Sequence, residues 1–261
     1  MNERPQRVVS EPYRGAWLDR PWAVVSELSE LLPPFSWTLI GGLMVQVQAY
    51  LYGVPASRVT DDVDAILHLE TSAVTFAGVG RLLQSRGFSL VHSQNHAYRF
   101  RRDADKIDVM VADRYAASRS PTHDRRQLLG VPGGTRALSN TSNVTLRDHA
   151  GVDVARFSLP SLKGAFVLKG AAYLVDQRDR DRHVEDGITL LACVSHVQEI
   201  REGLTFQSRR RIRALLRAIA SSRESWLSLE PDTQARARLN LPEMEAAFDV
   251  SGTDNSWKPL R

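Results

Sequence analysis

The chain has 261 residues, 43% of them apolar and 25% charged, which excludes a disordered chain as the default. A single cysteine, Cys193, excludes an internal disulfide framework and a cysteine-built zinc site. The formal net charge of +4 is carried mainly by arginine; this favours a phosphate-rich partner, but a GC-rich genome would explain it equally well. No run approaches the roughly 18 apolar residues of a membrane span, and no signal-peptide core precedes residue 20, so we expect a cytoplasmic protein with no membrane partner.

The first half of the chain predicts alternating helices and strands, preceded by a loosely ordered arm over residues 1–18. The predicted elements are a helix over 21–32, a strand over 36–40, a helix over 43–52, a strand over 62–69, a helix over 72–86 and strands over 89–92, 97–101 and 106–112. Residues 113–140, rich in Arg, Ser, Gly and Pro, predict a long loop, and a strand pair over 143–146 and 154–157 follows.

After residue 158 the pattern changes to helix, with helices predicted over 160–177, 184–193 and 209–220. We therefore expect an N-terminal arm over 1–20, an α+β domain over 21–158 and a helical domain over 159–261. On the last of the three helices, Arg209, Arg213 and Arg217 share one face. A solvated face is the simpler interpretation of these arginines, and contact with an RNA backbone is the alternative.

Gly41 and Gly42 stand where the predicted strand over 36–40 gives way to a helix. Glycines at such a junction let the backbone approach a phosphate, and the helix N-terminus adds free N–H groups and a positive dipole. Taken alone this is a weak signal, because a glycine pair between strand and helix is more often simple turn chemistry.

Asp62 and Asp64 open the next strand two residues apart, so both carboxylates point to one face, about 7 Å apart along the chain. Two such charges repel each other unless a cation lies between them, and Mg²⁺ is typically held by one or two carboxylates plus substrate phosphates. A solvated acidic strand start is the alternative, but the strand continues as the apolar run Ala65-Ile66-Leu67.

Asp108 is a lone acid within the apolar run of residues 106–112. Burying an unpaired carboxylate costs several kcal/mol, so this charge needs a partner. A metal ion shared with Asp62 and Asp64 would supply one; a structural salt bridge to Lys106 or Arg99 is the alternative.

Together these elements resemble the polymerase-β-like nucleotidyltransferase superfamily, in which Gly-Gly follows a strand, Asp-x-Asp opens the next and a third Asp lies in a later strand. More narrowly, LIGGLMVQVQAYLYGVPASRVTDDVDAIL resembles the AbiEii-type toxins of bacterial abortive-infection and toxin–antitoxin systems. Arg58, Thr60, Asp62 and Asp64 match that family's Arg-x-Thr-x-Asp-x-Asp string, and Asp108 matches its third acid. The resemblance implies a mixed sheet flanked by helices and followed by a helical C-terminal domain.

The segment LPSLKGAFVLKGAAYL resembles the family's Pro–Leu–Lys-x-x-Ala helix, which places Lys169 at the lysine position. RHVEDGITLL resembles a Lys-Asp-x-x-Asp-Leu segment, in which Arg182 stands for the lysine and Asp186 for the second aspartate. The chain departs from that segment at His183, where an aspartate is usual, and at Gly187, where an aliphatic residue is usual.

The resemblance implies catalysis by Asp62, Asp64 and Asp108, which would bind two Mg²⁺ (or Mn²⁺) ions and transfer a nucleotide from an NTP to an acceptor. Asp108 is the candidate to receive the proton of the acceptor hydroxyl. The candidate nucleotide-binding residues are Gly41, Gly42, Arg58, Thr60 and Lys169.

Three functions stay open at this stage. The first is a toxin that modifies tRNA or another cellular acceptor and is neutralised by a separately encoded antitoxin. The second is a small-molecule nucleotidyltransferase of the aminoglycoside-modifying kind. The third is a catalytically degenerate protein that binds nucleotide or a partner protein.

Overall fold

The computed structural model of the protein describes residues 4–55, 60–92 and 96–250. Its strands are β1 (Gln6–Ser10), β2 (Trp37–Ile40), β3 (Asp62–Leu67), β4 (Ser89–Leu90), β5 (His96–Ala97), β6 (Arg99–Arg102), β7 (Asp105–Ala112), β8 (Thr122–His123), β9 (Arg126–Leu128), β10 (Gly130–Val131), β11 (Thr141–Arg147) and β12 (Asp153–Pro160). Its α-helices are α1 (Trp22–Leu31), α2 (Gly41–Leu51), α3 (Phe76–Ser85), α4 (Asp113–Arg119), α5 (Gly134–Leu138), α6 (Leu162–Val175), α7 (Arg180–Ala192), α8 (Val197–Arg201), α9 (Phe206–Ser221), α10 (Arg223–Leu227) and α11 (Pro231–Ala247). Short 3-10 helices cover Ala16–Leu18 and Leu69–Thr71.

The main sheet is mixed, which confirms the predicted α+β class. Within the described residues its strand order is β1-β11-β12-β2-β3-β7-β6-β4, with β10 added alongside β7. The pairs β1–β11, β12–β2, β3–β7 and β10–β7 are parallel, and the remaining neighbours are antiparallel. A small separate sheet has the order β5-β9-β8.

The centre of the sheet is the apolar core of the protein. Every residue of β2 is buried, as are the last three residues of β3 and the last six of β7. Strands covered on both faces read as nearly continuous apolar runs, which is why these three segments were predictable. The acids Asp62 and Asp64 lie at the start of β3, before its continuously buried residues.

The helices that follow the sheet pack onto it through α2, the helix that begins at the glycine pair. α6 packs against α2, α5, α7 and α9, and α7 packs against α2, α9 and α11. The helices predicted over 160–177, 184–193 and 209–220 are confirmed as α6, α7 and α9. Because α7 contacts α2, side chains at the start of α7 come close to the start of β3.

Two expectations about irregular segments were wrong. The arm expected over residues 1–18 contains β1, which extends the sheet alongside β11, and Trp17 is buried with its Nε1 donating to the Arg147 carbonyl oxygen at 3.0 Å. The long loop expected over 113–140 contains α4, β8, β9, β10 and α5. The side chain of Asp113 ties this segment together by accepting the backbone N–H groups of Gly133 and Thr135 at 2.7 and 3.0 Å.

None of the helices in the described ranges combines the length and the apolar character that a bilayer-spanning helix needs.

Candidate active site

Asp62 and Asp64 project from the same face of β3, and both are half-buried, whereas Val63 between them is fully buried. The hydroxyl of Thr60, itself buried, donates to Oδ1 of Asp62 at 2.9 Å. Thr60 therefore orients the first carboxylate of the pair.

Asp108 comes to the same face from the neighbouring strand. It is the register partner of Asp64 in the parallel pair β3–β7, and register partners of adjacent strands project to one side of a sheet. The charges of Asp62 and Asp108 both act on Asp64 and raise its pKa. The structure therefore brings together the three acids that are distant in sequence.

The carboxylate of Asp108 is already bound by an arginine. Arg99 on β6 is the antiparallel partner of Asp108, and its Nε and Nη2 donate to the two carboxylate oxygens at 2.7 and 2.6 Å. Lys106, the other candidate partner, instead contacts Asp61 at 2.7 Å. Within the described ranges, no group of three or more His, Cys, Asp or Glu side chains is arranged as a ready metal site.

Gly41 lies directly against Asp64. Its neighbour Ile40 is the register partner of Asp64 in the pair β2–β3, and Gly41 has a φ of +70°. A Cβ atom at this position would lie 2.7 Å from Cγ of Asp64 and overlap its carboxylate. Glycine is therefore required at this position for two reasons: the positive φ of the backbone and the space that the Asp64 side chain occupies. Gly42 is buried in the first turn of α2.

We expect Gly41→Ala to displace the Asp64 side chain and to destabilise the protein by more than the backbone cost of a positive φ. Gly53→Ala is the matched control, because Gly53 has a φ of +61° but nothing within 4 Å of an added Cβ. Both variants pay the backbone cost of a positive φ, about 1 kcal/mol, and only Gly41→Ala adds the overlap. Thermal unfolding of the two variants measures the difference, and equal losses in both would contradict the close contact.

Lys169 on α6 forms a buried ion pair with Asp186 on α7, with Nζ and Oδ2 2.6 Å apart. The two residues are only 5% and 3% exposed. Lys169 also acts on Asp64, since its charge lowers the pKa of that carboxyl. Lys169 is thus not a solvated helix position but a buried cation between the helical half of the chain and the acids of the sheet.

A cavity of about 210 Å³ joins these groups. Of the residues predicted for the site, Gly41, Gly42, Thr60, Asp62, Asp64 and Lys169 line it. α7 contributes three more lining residues, Arg182, His183 and Asp186. Asp108, held by Arg99, does not line the cavity. Arg58 lies outside the described residues.

A wider cleft of about 610 Å³ adjoins the cavity, and Arg182 lines both. Its lining includes Tyr98, Arg99 and Arg178. The sequence did not predict that these arginines cluster. It indicated Arg99 only as one of two possible salt-bridge partners of Asp108. By contrast, Arg213 donates through Nε to the Phe248 carbonyl oxygen at 2.8 Å, so this member of the predicted arginine face is engaged within the chain.

The positive charges near Asp64 do not fully offset its burial and its repulsion by the neighbouring acids. Loss of water around it, followed by the charges of Asp62 and Asp108, raises its pKa to about 7, although Lys169 and Arg99 act in the opposite direction. Burial also raises the pKa of Asp108, against the effect of Arg99. Hard oxygen donors with unbalanced negative charge suit Mg²⁺. Asp62 and Asp64 therefore fit a divalent cation, whereas Asp108 in this arrangement is a partner of Arg99.

The raised pKa of Asp64 predicts how the stability of the metal-free protein depends on pH. The folded protein keeps a proton on Asp64 up to about pH 7, whereas the unfolded chain releases it near 3.8. The free energy of unfolding therefore falls as pH rises from about 4 to about 7. In EDTA, we expect Asp64→Asn to be more stable than the wild type at pH 8, by on the order of 2 kcal/mol, and equal to it at pH 4. Urea unfolding at both values measures this; parallel curves for the two proteins would contradict it.

In comparisons with known proteins, no protein-family profile, no curated protein and no solved structure matches this chain.

Proposed function

We propose that the chain is a metal-dependent nucleotidyltransferase that transfers a nucleotide from an NTP to an acceptor hydroxyl. One observation carries the proposal: Asp62, Asp64 and Asp108 meet on one face of two adjacent parallel strands, beside a glycine that Asp64 requires. A cluster of like charges at the edge of the core is costly to a protein that does not use it, because substitution by neutral residues would remove the repulsion.

In this proposal Asp62 and Asp64 hold Mg²⁺, and Thr60 keeps the Asp62 carboxylate in position. A bound divalent cation would neutralise phosphate charge and stabilise the oxygens that attack and leave the phosphorus. The first turn of α2 offers backbone N–H groups that have no partner within the helix, and Gly41 and Gly42 allow phosphates to approach them. Lys169 and Arg182 add positive charge on the other side of the cavity. Positioning and charge neutralisation supply most of the catalysis in transfers of this kind.

The resemblance to AbiEii-type toxins adds a cellular role to the proposal. The chain would act in the cytoplasm as the toxin of a toxin–antitoxin or abortive-infection system, with tRNA as acceptor and a separately encoded antitoxin as partner. The small-molecule and degenerate alternatives share the Gly and Asp motifs, so the acceptor has to be identified by experiment.

The test is the fate of label from two forms of each NTP, incubated with the protein, Mg²⁺ and total cellular RNA. We expect RNA to acquire label from [α-³²P]NTP and none from [γ-³²P]NTP, with release of pyrophosphate. Label from the γ position would indicate a phosphotransferase instead. Transfer only to an added aminoglycoside would support the small-molecule alternative, and binding of NTP without transfer would support the degenerate one.

A further inference from the structure

His183, the residue at which the chain departs from the resembled pattern, lines the cavity and has one ring nitrogen without a hydrogen-bond partner in the described residues. The residue is 8% exposed, lies on the first turn of α7 and lines the cavity that Asp62 and Asp64 line. Its Nε2 lies 3.2 Å from Oδ2 of Asp176, in the connection between α6 and α7. Its Nδ1 is buried and has no hydrogen-bond partner in the described part of the chain. A buried polar atom without a partner is uncommon and calls for an explanation.

The contact with Asp176 fixes the state of the ring. A carboxylate accepts hydrogen bonds, so the proton of a neutral His183 stays on Nε2 and the lone pair stays on Nδ1. Asp176 is itself held, because its Oδ1 accepts the backbone N–H of Arg178 at 2.9 Å. The groups that act on His183 are Lys169 on α6, Asp186 on its own helix and Asp176. Burial, followed by the charge of Lys169, lowers the pKa of His183 against the two carboxylates. The imidazole is therefore neutral near pH 7 and able to accept a proton.

The other basic groups of the site are occupied. Both oxygens of Asp108 accept hydrogen bonds from Arg99, so an acceptor hydroxyl would have to displace the guanidinium to reach this carboxylate. Asp186 is bound to Lys169, and Asp62 and Asp64 are the carboxylates assigned to the cation. Nδ1 of His183, by contrast, has no hydrogen-bond partner in the described residues, and the residue lines the cavity.

We propose that His183 is the general base of the transfer reaction, with Asp176 as its positioning residue; this inference rests on the proposed function. The acceptor oxygen bonds to the α-phosphorus of the NTP while its proton passes to Nδ1. The bond from the α-phosphorus to the oxygen that bridges to the β-phosphorus breaks, and pyrophosphate leaves with that electron pair. The imidazolium that forms is stabilised by Asp176 and returns its proton to water. The arrangement of nucleophile, base and orienting carboxylate is the one on which base-activated hydroxyls generally depend.

The test compares transfer of label from [α-³²P]NTP to total RNA, with Mg²⁺, by the wild type, His183→Gln and Asp176→Asn between pH 5 and 9. His196→Gln is the matched control, because His196 is an exposed histidine elsewhere in the helical half. We expect His183→Gln to lower kcat by about 10²- to 10³-fold with less than about a threefold change in KM for the NTP. Asp176→Asn should lower kcat less. With Mg²⁺ at a concentration that saturates the site and keeps Asp64 ionised at each pH, the wild-type rate should fall as the pH drops below about 6.5, and this fall should be absent in His183→Gln. Imidazole should partly restore His183→Ala.

The possible outcomes separate this proposal from the proposed function. An active wild type with unchanged kcat in His183→Gln, or with a change in KM alone, overturns the role of His183 and leaves the nucleotidyltransferase assignment intact. If the histidine variants do not fold, the wild-type profile decides: a rate that does not fall below pH 6.5 also overturns the role. A wild type that transfers no label overturns both.

Discussion

Replacing Asp64 with asparagine is expected to lower nucleotide transfer by on the order of 10³-fold or more. Asparagine has nearly the same shape, so it keeps the packing against Gly41 and removes only the charge. Burial, followed by the charges of Asp62 and Asp108, disfavours that charge and so raises the pKa of Asp64. The expected loss is therefore in kcat rather than in folding. Initial rates of label transfer, with circular dichroism and thermal unfolding for the fold, measure it.

Asp61→Asn is the matched control for this prediction. Asp61 precedes the same strand, but it is exposed and its carboxylate contacts Lys106 rather than the cavity. The substitution removes the same charge a few residues away, so an effect of net charge on substrate attraction would appear in both variants. An Asp64→Asn protein that transfers nucleotide at the wild-type rate would exclude Asp64 from the chemistry.

The strands that carry the acids were predictable because they are long apolar runs that polar residues interrupt at one end. β3 begins at Asp62, as predicted, and β7 begins at Asp105, one residue before its predicted start. The same-face geometry of Asp62 and Asp64 follows from the period of a strand alone. That Asp108 is the register partner of Asp64 does not follow from any local pattern, because strand order and register are set by packing across the sheet.

The features missed by sequence reasoning are tertiary. The sequence offered both Arg99 and Lys106 as partners of Asp108, and the choice of Arg99 depends on the pairing of β6 with β7. His183 was not predicted at the site; it lines the cavity because α7 packs against α2 and α6. β1 was missed for a related reason: four of its five residues are exposed, so it has no apolar run, and its partner β11 lies more than 130 residues away. Between residues 113 and 140, elements of two to seven residues are too short to show a period, and hydrogen bonds to Asp113 hold them in place.

Replacing Lys169 with methionine is expected to destabilise the protein by about 3–5 kcal/mol. Methionine fills much of the same space, but it leaves the carboxylate of Asp186, which is 3% exposed, without its cation. The free-energy cost comes from the buried carboxylate of Asp186 when it has lost its lysine, and not from the loss of the ion pair as such. Lys163→Met is the control on the same helix, because that lysine is less buried and donates to the Glu202 carbonyl oxygen. Urea unfolding at pH 7 measures both variants, and equal small losses would contradict the buried pair.

The double variant Lys169→Met/Asp186→Leu separates the structural role of the pair from its functional role. Removing both charges takes away the carboxylate that has lost its lysine, so we expect most of the lost stability to return, as it does when buried ion pairs are replaced by apolar groups. If Lys169 also binds the proposed NTP, transfer should not return with it, because the cavity still lacks the lysine whose charge acts on Asp64. A double variant that regains both stability and transfer would show that Lys169 serves only to dock α6 against α7. One that regains stability alone, with weakened NTP binding, would place Lys169 at the nucleotide.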